Sequence, residues 1–551
     1  MGNGYQRTTV QWIGGFLGGI ALALSPGKLA TPGLAAERLT VRLGPFEQSV
    51  EIADLEEFAT TGELSPALKP YELFLTPNVR QILTSRLALD PNFGGKVIEE
   101  VLKSANGKLL LGSLGGLLPD VSIDQLQAAM SLATRQLNGL GVLGVLKALP
   151  QENITIDATS AIALASQVNF SFLQSQAASI FLKNELAVDG AIFQPTFDPA
   201  APGPQAVRQQ SLRFSDRQRN RTLLTDLYWS DDTQGPLVVM SHGFGANRKF
   251  LAYLARHLAS HGLTVAAIEH PGSNVAALGN ITLGDASDNP LVQLIPAREF
   301  LDRPRDISFL LDQLAQRNRQ RGTLQGKLNT HQVSVIGHSL GGYTALALAG
   351  AELDLNQLKQ FCQNRNLLTS APADWLQCAA ADLPNRSVTL KDARVSQVIA
   401  LNPVTGNLFG AMGLSQVEAT TLVLAGTDDA LTPAVSQQIR PFNDLPAPKY
   451  LLTAVGGTHL SISDPANLPA ALTRNSVVPE RIGSETANLR QLLRGVSLAL
   501  IKQQTPAAAT YAPFLTAAYA QSLSTVDLAL RLNTELPNSL SQWLGIAALS
   551  R

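Results

Sequence analysis

The segment Gly337-His338-Ser339-Leu340-Gly341-Gly342 lies directly behind the apolar run Gln332 to Ile336. Read together, the two place a serine on a sharp turn between a strand and a helix, with Leu340 to Ala349, rich in Ala and Leu, supplying the helix. A serine held this way keeps its hydroxyl exposed for nucleophilic attack, and glycines two before and two after it, Gly337 and Gly341, let neighbouring backbone come close. Such five-residue patterns arise by chance in a chain with 43 glycines, so the flanking strand and helix are what give this one meaning.

A serine becomes a nucleophile when a base takes its proton and an acid orients that base. Behind an elbow of this kind the acid and then the histidine follow along the chain. Of the seven histidines only His459 lies beyond Ser339, in the small-residue loop Gly456-Gly457-Thr458-His459-Leu460 behind the apolar run Tyr450 to Val455. Between them, Thr421 to Ala425 leads into Gly426-Thr427-Asp428-Asp429-Ala430-Leu431-Thr432-Pro433. Asp429, four before Pro433, is assigned as the acid; Asp428 is the alternative and is otherwise suited to bonding the turn. A developing oxyanion needs two backbone N–H donors. The residue after the nucleophile, Leu340, offers one, and Phe244 offers the other from the Gly-rich turn His242 to Asn247, with Gly243 permitting the backbone path. His242 and His338 flank this set and are read as orienting loops rather than reacting.

At this point the chain resembles a known group. From about Arg208 to Arg494 it is similar to the dienelactone hydrolase and platelet-activating-factor acetylhydrolase branch of the α/β-hydrolases. The matching pieces are Asp216-Arg217-Gln218-Arg219-Asn220-Arg221 before Leu227-Tyr228-Trp229, then Ser241-His242-Gly243-Phe244-Gly245, His270-Pro271-Gly272-Ser273, Arg303-Pro304-Arg305-Asp306-Ile307 and the elbow. The chain ahead resembles the helical N-terminal domain of unknown function on some exported bacterial hydrolases of that branch. The resemblance implies ester hydrolysis through an acyl-serine intermediate, without a cofactor, on an ester with a short acyl or lipid part. Dienelactone hydrolases carry a cysteine nucleophile where this chain has Ser339, which favours the acetylhydrolase-like esterase over a lactonase. An acyltransferase or thioesterase on the same residues is one alternative. An exported binding or assembly protein with a vestigial hydrolase core is another.

Composition fits a globular protein of more than one domain: 551 residues, 45% hydrophobic and 15% charged. A formal net charge of −1 gives no basis for nucleic-acid binding. The N-terminus predicts export. Arg7 precedes the apolar stretch Trp12 to Leu24, shorter than the ~20 residues of a spanning helix, and small residues follow through Ala35 and Ala36, where cleavage is expected. An uncleaved anchor is the alternative. The expected location is periplasmic or extracellular, or the thylakoid lumen in a photosynthetic bacterium. The two cysteines, Cys362 and Cys378, lie in one segment; an oxidising compartment would let them pair, whereas two buried free thiols are the other reading. No His and Cys companions of a zinc site accompany them, and no metal is indicated.

The elements that must position these residues follow from periodicity. Residues 1–36 read as the signal peptide, 37–193 as a mainly helical domain opening with a hairpin (Arg38 to Leu43 and Gln48 to Ile52), and 194–205 as a Pro- and Ala-rich linker. Helical spacing is expected near Pro77 to Leu87, Phe93 to Ser104, Ile123 to Leu137 and Ser160 to Phe181. In 206–502, β-type runs at Leu223, Leu237, Thr264, Gln332, Val395, Thr421 and Tyr450 alternate with helical stretches, predicting a mostly parallel sheet with helices on both faces. The Gly- and Asn-rich connection from Gly272 to Ala297 is expected to wall the pocket, and 351–394 to form a lid-like helical insertion. Residues 503–551 read as an amphipathic helical extension folding back on the N-terminal domain; its few cations make a peripheral membrane contact the lesser alternative.

Overall fold

A computed structural model describes residues 36–43, 46–69, 75, 80, 83–84, 86–87, 117–133, 140–157, 170–189, 193–233, 235–278, 295–363, 370–384, 389–468 and 480–549. The leader expected at 1–36 lies outside these residues apart from Ala36, as does the stretch expected to be helical at Phe93 to Ser104; of Pro77 to Leu87 only residues 80, 83–84 and 86–87 are described, and Arg86–Leu87 is a strand rather than helix.

The first described part opens with the expected hairpin, β1 (Arg38–Leu43) and β2 (Phe46–Glu51), paired antiparallel from Arg38 opposite Glu51. Helix α1 (Ile52–Thr61) follows at once and buries Ile52, Leu55, Phe58 and Ala59, one face at helical spacing. It stops at Gly62, whose φ of 81° no other residue adopts cheaply and whose N–H caps the Phe58 carbonyl. Two short strands, β3 (Arg86–Leu87) and β4 (Leu140–Gly141), pair with one another around α2 (Ile123–Ala133). Then come α3 (Val142–Ala148), β5 (Asn153–Asp157) and α4 (Phe170–Asn184). Strand β5 joins β1 in parallel, giving a three-stranded sheet in the order β2-β1-β5. The reading of 37–193 as mainly helical with an opening hairpin did not include β5, which extends that hairpin to three strands. A five-residue strand whose partner is far along the chain leaves too little alternation to be seen.

The main sheet has nine strands in the order β14-β13-β12-β11-β10-β8-β9-β7-β6. Its members are β6 (Arg208–Asp216), β7 (Arg221–Trp229), β8 (Leu237–Ser241), β9 (Thr264–Glu269), β10 (Val333–His338), β11 (Val395–Leu401), β12 (Thr420–Gly426), β13 (Lys449–Val455) and β14 (Ala529–Asn533). Strands β8 to β13 run parallel and are buried on both faces, which is why they read as continuous apolar runs. The β6–β7 hairpin and β14 add antiparallel edges. Helices α5 (Ala252–Ser260), α6 (Glu299–Arg319), α7 (Leu340–Leu348) and α10 (Ala487–Lys502) connect or close the parallel part, and the insertion contributes α8 (Leu355–Gln363) and α9 (Pro372–Cys378).

The extension after residue 502 departs from its helical expectation. It holds α11 (Ala517–Ser522) and α12 (Asn538–Leu549), but between them β14 pairs with β13 as the ninth strand. Alternation over only Ala529 to Asn533, inside a stretch rich in Ala and Leu, hides a strand from periodicity. The extension does fold against the N-terminal part: Arg531 donates to the Lys183 carbonyl at 2.7 and 3.1 Å, and Gln521 bonds both backbone groups of Val188. Among the described residues no helix is long and apolar enough to cross a membrane.

Candidate active site

Ser339 stands between β10 and α7 with φ 55° and ψ −118°, backbone that a β-carbon disfavours by about 1–3 kcal/mol. The surroundings hold it there. Its N–H donates to Leu401 at 2.9 Å, and its carbonyl accepts from Gly342 at 2.9 Å and Val404 at 3.1 Å. A side chain on Gly337 would stand 2.0 Å from the Gly341 carbonyl oxygen, and one on Gly341 would stand 2.1 Å from that of Ser241. The elbow therefore needs glycine at both places for backbone contact rather than for turn geometry.

His459 follows β13 and Asp429 follows β12, adjacent strands, so their loops meet. The imidazole Nδ1 lies 2.7 Å from Asp429 Oδ2. The carboxylate is fully buried, and its oxygens accept from the Leu431 and Thr432 N–H groups at 2.9 and 2.7 Å, the Thr432 hydroxyl at 2.6 Å and the Asn402 amide at 2.7 Å. Burial works against a charged imidazole, yet Asp429, with the nearby Glu480 carboxylate, raises the His459 pKa above its ordinary value. This is the electrostatic state a base needs in order to hold a proton during a reaction. Ser339 and His459 share one cavity, with no hydrogen bond between their side chains at rest. Asp428, the alternative acid, faces away: its carboxyl accepts from Gln176 at 3.0 Å and from Thr427 at 3.0 Å.

The two flanking histidines hold loops. His338 Nε2 bonds the His459 carbonyl at 3.0 Å, and its ring stacks on Phe250 with centroids 4.6 Å apart. His242 Nε2 accepts from the His270 backbone N–H at 3.0 Å, which leaves its Nδ1 to donate to the Gly243 carbonyl at 2.7 Å. Burial, reinforced for His242 by Arg303 and for His338 by His459, holds both pKa values well below the ordinary value, so both are neutral. Gly243 and Phe244 begin the turn after β8. Neither the Phe244 nor the Leu340 N–H has a hydrogen-bond acceptor among the described residues, leaving both free for an oxyanion.

Beneath that turn lies a residue that the sequence reading named only within the motif Arg303 to Ile307 and gave no role. Arg303 of α6 is fully buried and donates to Thr344 Oγ1 on the elbow helix at 3.1 Å, Ser273 Oγ at 2.6 Å, Ser241 Oγ at 3.2 Å and the His242 carbonyl. Burial lowers its pKa to about 10, and it remains charged at neutral pH. Nearby, Arg221 grips Glu299 at 2.6 Å and Asp306 at 2.7 Å; against the penalty of burial these carboxylates hold its pKa above the ordinary value. A second serine, histidine and aspartate also align here: Ser241 Oγ is 3.0 Å from His270 Nε2, and His270 Nδ1 is 3.0 Å from Asp306. All three are buried, and the Ser241 hydroxyl is wedged between Arg303 and the imidazole, so this set braces strand ends and has no access to a substrate.

The cavity around Ser339 measures about 210 Å³, below the range of roughly 300–1,000 Å³ usual for drug-sized ligands. Phe244, Phe250, Val404, Leu431 and Leu460 supply apolar wall. Pro372, Ala373 and Leu376 of the insertion helix α9 close one side, and the Cys362–Cys378 disulfide ties that helix to α8. Of the Gly272 to Ala297 connection, expected to wall the pocket, residues 279–294 lie outside the described residues, and the described remainder does not line the cavity. Instead Ser273 braces the oxyanion turn, its carbonyl accepting the Gly245 N–H at 2.9 Å. Among the described residues no cluster of His, Cys, Asp or Glu could hold a metal ion.

Sheet order, elbow and loop order define an α/β-hydrolase, and the comparisons with known proteins agree. The model of the alpha/beta hydrolase family matches residues 238–472, and that of an alpha/beta hydrolase of unknown function (DUF1400) matches residues 35–157. The platelet-activating factor acetylhydrolase of Cavia porcellus is 29% identical over 134 residues, covering 20% of this chain and 31% of the relative. That of Canis lupus familiaris is 30% identical over 137 residues, with the same coverage. The chain belongs to the α/β-hydrolases, in the branch its motifs resemble, and spans about a third of the length of the curated relatives it matches.

Proposed function

We propose that this hydrolase is an exported serine esterase that cleaves carboxylic esters with a short or compact apolar acyl group. The observation that carries the reading is the His459–Asp429 bond in the cavity that also holds Ser339 on a strained elbow. In the proposed reaction the Ser339 Oγ attacks the ester carbonyl carbon while His459 Nε2 takes the hydroxyl proton, and the carbonyl oxygen gathers negative charge between the Leu340 and Phe244 N–H groups. Collapse breaks the carbon–oxygen bond to the alcohol, which leaves with the proton from His459. Water, deprotonated by the same imidazole, then attacks the acyl-serine and releases the acid. Asp429 stays ionised and holds the imidazole with Nδ1 protonated.

The small apolar cavity supports the acyl preference. Resemblance to acetylhydrolases, including the named activity of the two curated relatives, supports it independently. Export rests on the apolar leader sequence and fits the Cys362–Cys378 disulfide, a bond typical of oxidising compartments. The test is hydrolysis of p-nitrophenyl esters of increasing acyl length by the wild type and Ser339→Ala. Turnover that falls with acyl length and vanishes in the variant is expected. Equal turnover by the two proteins would refute the reading, and acyl transfer to an added alcohol in preference to water would make the enzyme an acyltransferase.

A further inference from the structure

Helix α4 precedes the family-matched hydrolase segment, yet it sends polar side chains to the loop that carries the acid. The Gln176 amide is buried and spends both its hydrogens there: Nε2 donates to the Thr427 carbonyl at 2.7 Å and to Asp428 Oδ1 at 3.0 Å. One turn position earlier, Ser175 Oγ accepts the N–H of Val435 at 3.1 Å, just beyond Pro433. Thr427 and Asp428 are where the acid and base loops are stitched together. The Thr427 N–H donates to Ala454 at 3.1 Å, the Gly456 N–H to Thr427 Oγ1 at 2.9 Å, and the Asp428 N–H to the Gly457 carbonyl at 2.9 Å. Asp429 is the next residue on one side of this seam, and His459 lies two residues past Gly457 on the other. The helix is itself fixed at its far end by the Arg531 bonds to the Lys183 carbonyl, so its grip is not that of a loose segment.

We propose that Gln176 is a positioning residue of the hydrolase site, setting the Asp429 turn against the His459 loop by holding Thr427 and Asp428. The proposal rests on the esterase reading for its catalytic consequence and ties the region ahead of the hydrolase core to the geometry of the site. The physical need is plain. Asp428 places a carboxyl in a dry loop beside a second carboxylate, and a neutral amide that donates to it and to the adjacent carbonyl fixes the turn without adding charge. An apolar side chain of the same length would fill the space and leave both acceptors without those bonds. The Asp429–His459 geometry would then relax by a fraction of an ångström.

The experiment is Gln176→Met in the full chain, with folding checked by circular dichroism and elution volume. If that variant does not fold, Gln176→Asn, which keeps an amide but withdraws it by one methylene, is read in its place. Two readouts are taken: kcat and KM on p-nitrophenyl acetate, and the downfield proton resonance of His459 Nδ1–H, assigned by its absence from His459→Gln. The expected result is a kcat lower by about 10- to 100-fold with KM little changed, and a shifted or broadened resonance. A folded variant with kcat unchanged, or with kcat lowered but the resonance unmoved, overturns the proposal. A wild type that shows the resonance but hydrolyses no ester sinks the esterase reading instead, and the resonance in the variant still decides whether Gln176 sets the pair.

Discussion

Replacing Arg303 by methionine tests whether the oxyanion turn stands on a buried charge. The guanidinium donates to Thr344, Ser273, Ser241 and the His242 carbonyl, thereby linking α6 to the ends of β8 and to the elbow helix. Hydrogen bonds to charged groups each contribute about 1.5–3 kcal/mol, so four of them would suggest a very large loss. Two facts reduce it. Burying the guanidinium was itself costly, as its lowered pKa records, and the carboxylates nearest it, Glu299 and Asp306, keep Arg221 as a direct partner. Removal of one member of a buried charged set costs about 3–5 kcal/mol, and the retained Arg221 places this case near 3. Arg303→Met should therefore lower the urea midpoint by the equivalent of about 3 kcal/mol. Because the same bonds seat the turn bearing the Phe244 N–H, reaction with a fluorophosphonate should slow by at least about tenfold, short of the 10²–10³ that follows loss of an oxyanion donor itself. A midpoint within about 1 kcal/mol of wild type, with a labelling rate changed less than about twofold, would refute the reasoning, since surface-like losses are of that size.

Three further outcomes follow from the same geometry. The pKa of His459 is raised above 6.5, so the imidazole becomes a free base only above that pH: kcat/KM should rise with a midpoint above 6.5, and Asp429→Asn should move the midpoint down while lowering the plateau. The linked stability has the matching sign, being fully present below the unfolded value of 6.5 and lost as pH rises through the folded value; a profile with its acid limb below 6.5 contradicts the assignment. Replacing Cys362 and Cys378 by serine opens a cross-link spanning 16 residues and should cost about 3 kcal/mol in unfolding experiments, while raising KM because α9 forms a cavity wall. Leu376→Ala enlarges that wall and should raise the hexanoate-to-acetate ratio of kcat/KM about tenfold; an unchanged ratio would remove α9 from acyl selection.

Much of the site could be read from spacing because each proposed residue follows its own strand. Six parallel strands buried on both faces leave continuous apolar runs, and a small-residue loop behind each marks where chemistry can stand. The proposed Ser339, His459 and Phe244 turn were picked out for that reason, and the spacing of four before Pro433 favoured Asp429 over Asp428. What could not be read depends on contacts distant in sequence. Arg303 could be read only as part of a resembling motif, because it lies inside an Asp- and Arg-rich helix; the fold alone turns it onto Thr344, Ser273 and Ser241, and turns Asp306 on the same helix onto Arg219, Arg221 and His270. Asn402, which holds the Asp429 carboxylate, carries no local signal beyond a position at a strand end, and its φ of 45° is visible only in the structure. Gln176 is one of three consecutive polar residues, Gln174, Ser175 and Gln176, all buried on α4. Polar residues on a helix ordinarily face water, and such a run becomes a signal only when a partner loop is known. β14 and β5 were missed because a strand of five residues is decided by its neighbours rather than by its own sequence.

The central claim is that Ser339, and not one of the other buried serines, is an activated nucleophile. Treating the full chain with a fluorophosphonate and mapping the adduct by peptide mass spectrometry tests it most directly. The account predicts a single modification on Ser339, lost in His459→Ala and still found on Ser339 in Ser241→Ala once folding is verified. No adduct, or an adduct on Ser241 within the buried Ser241–His270–Asp306 set, would contradict it.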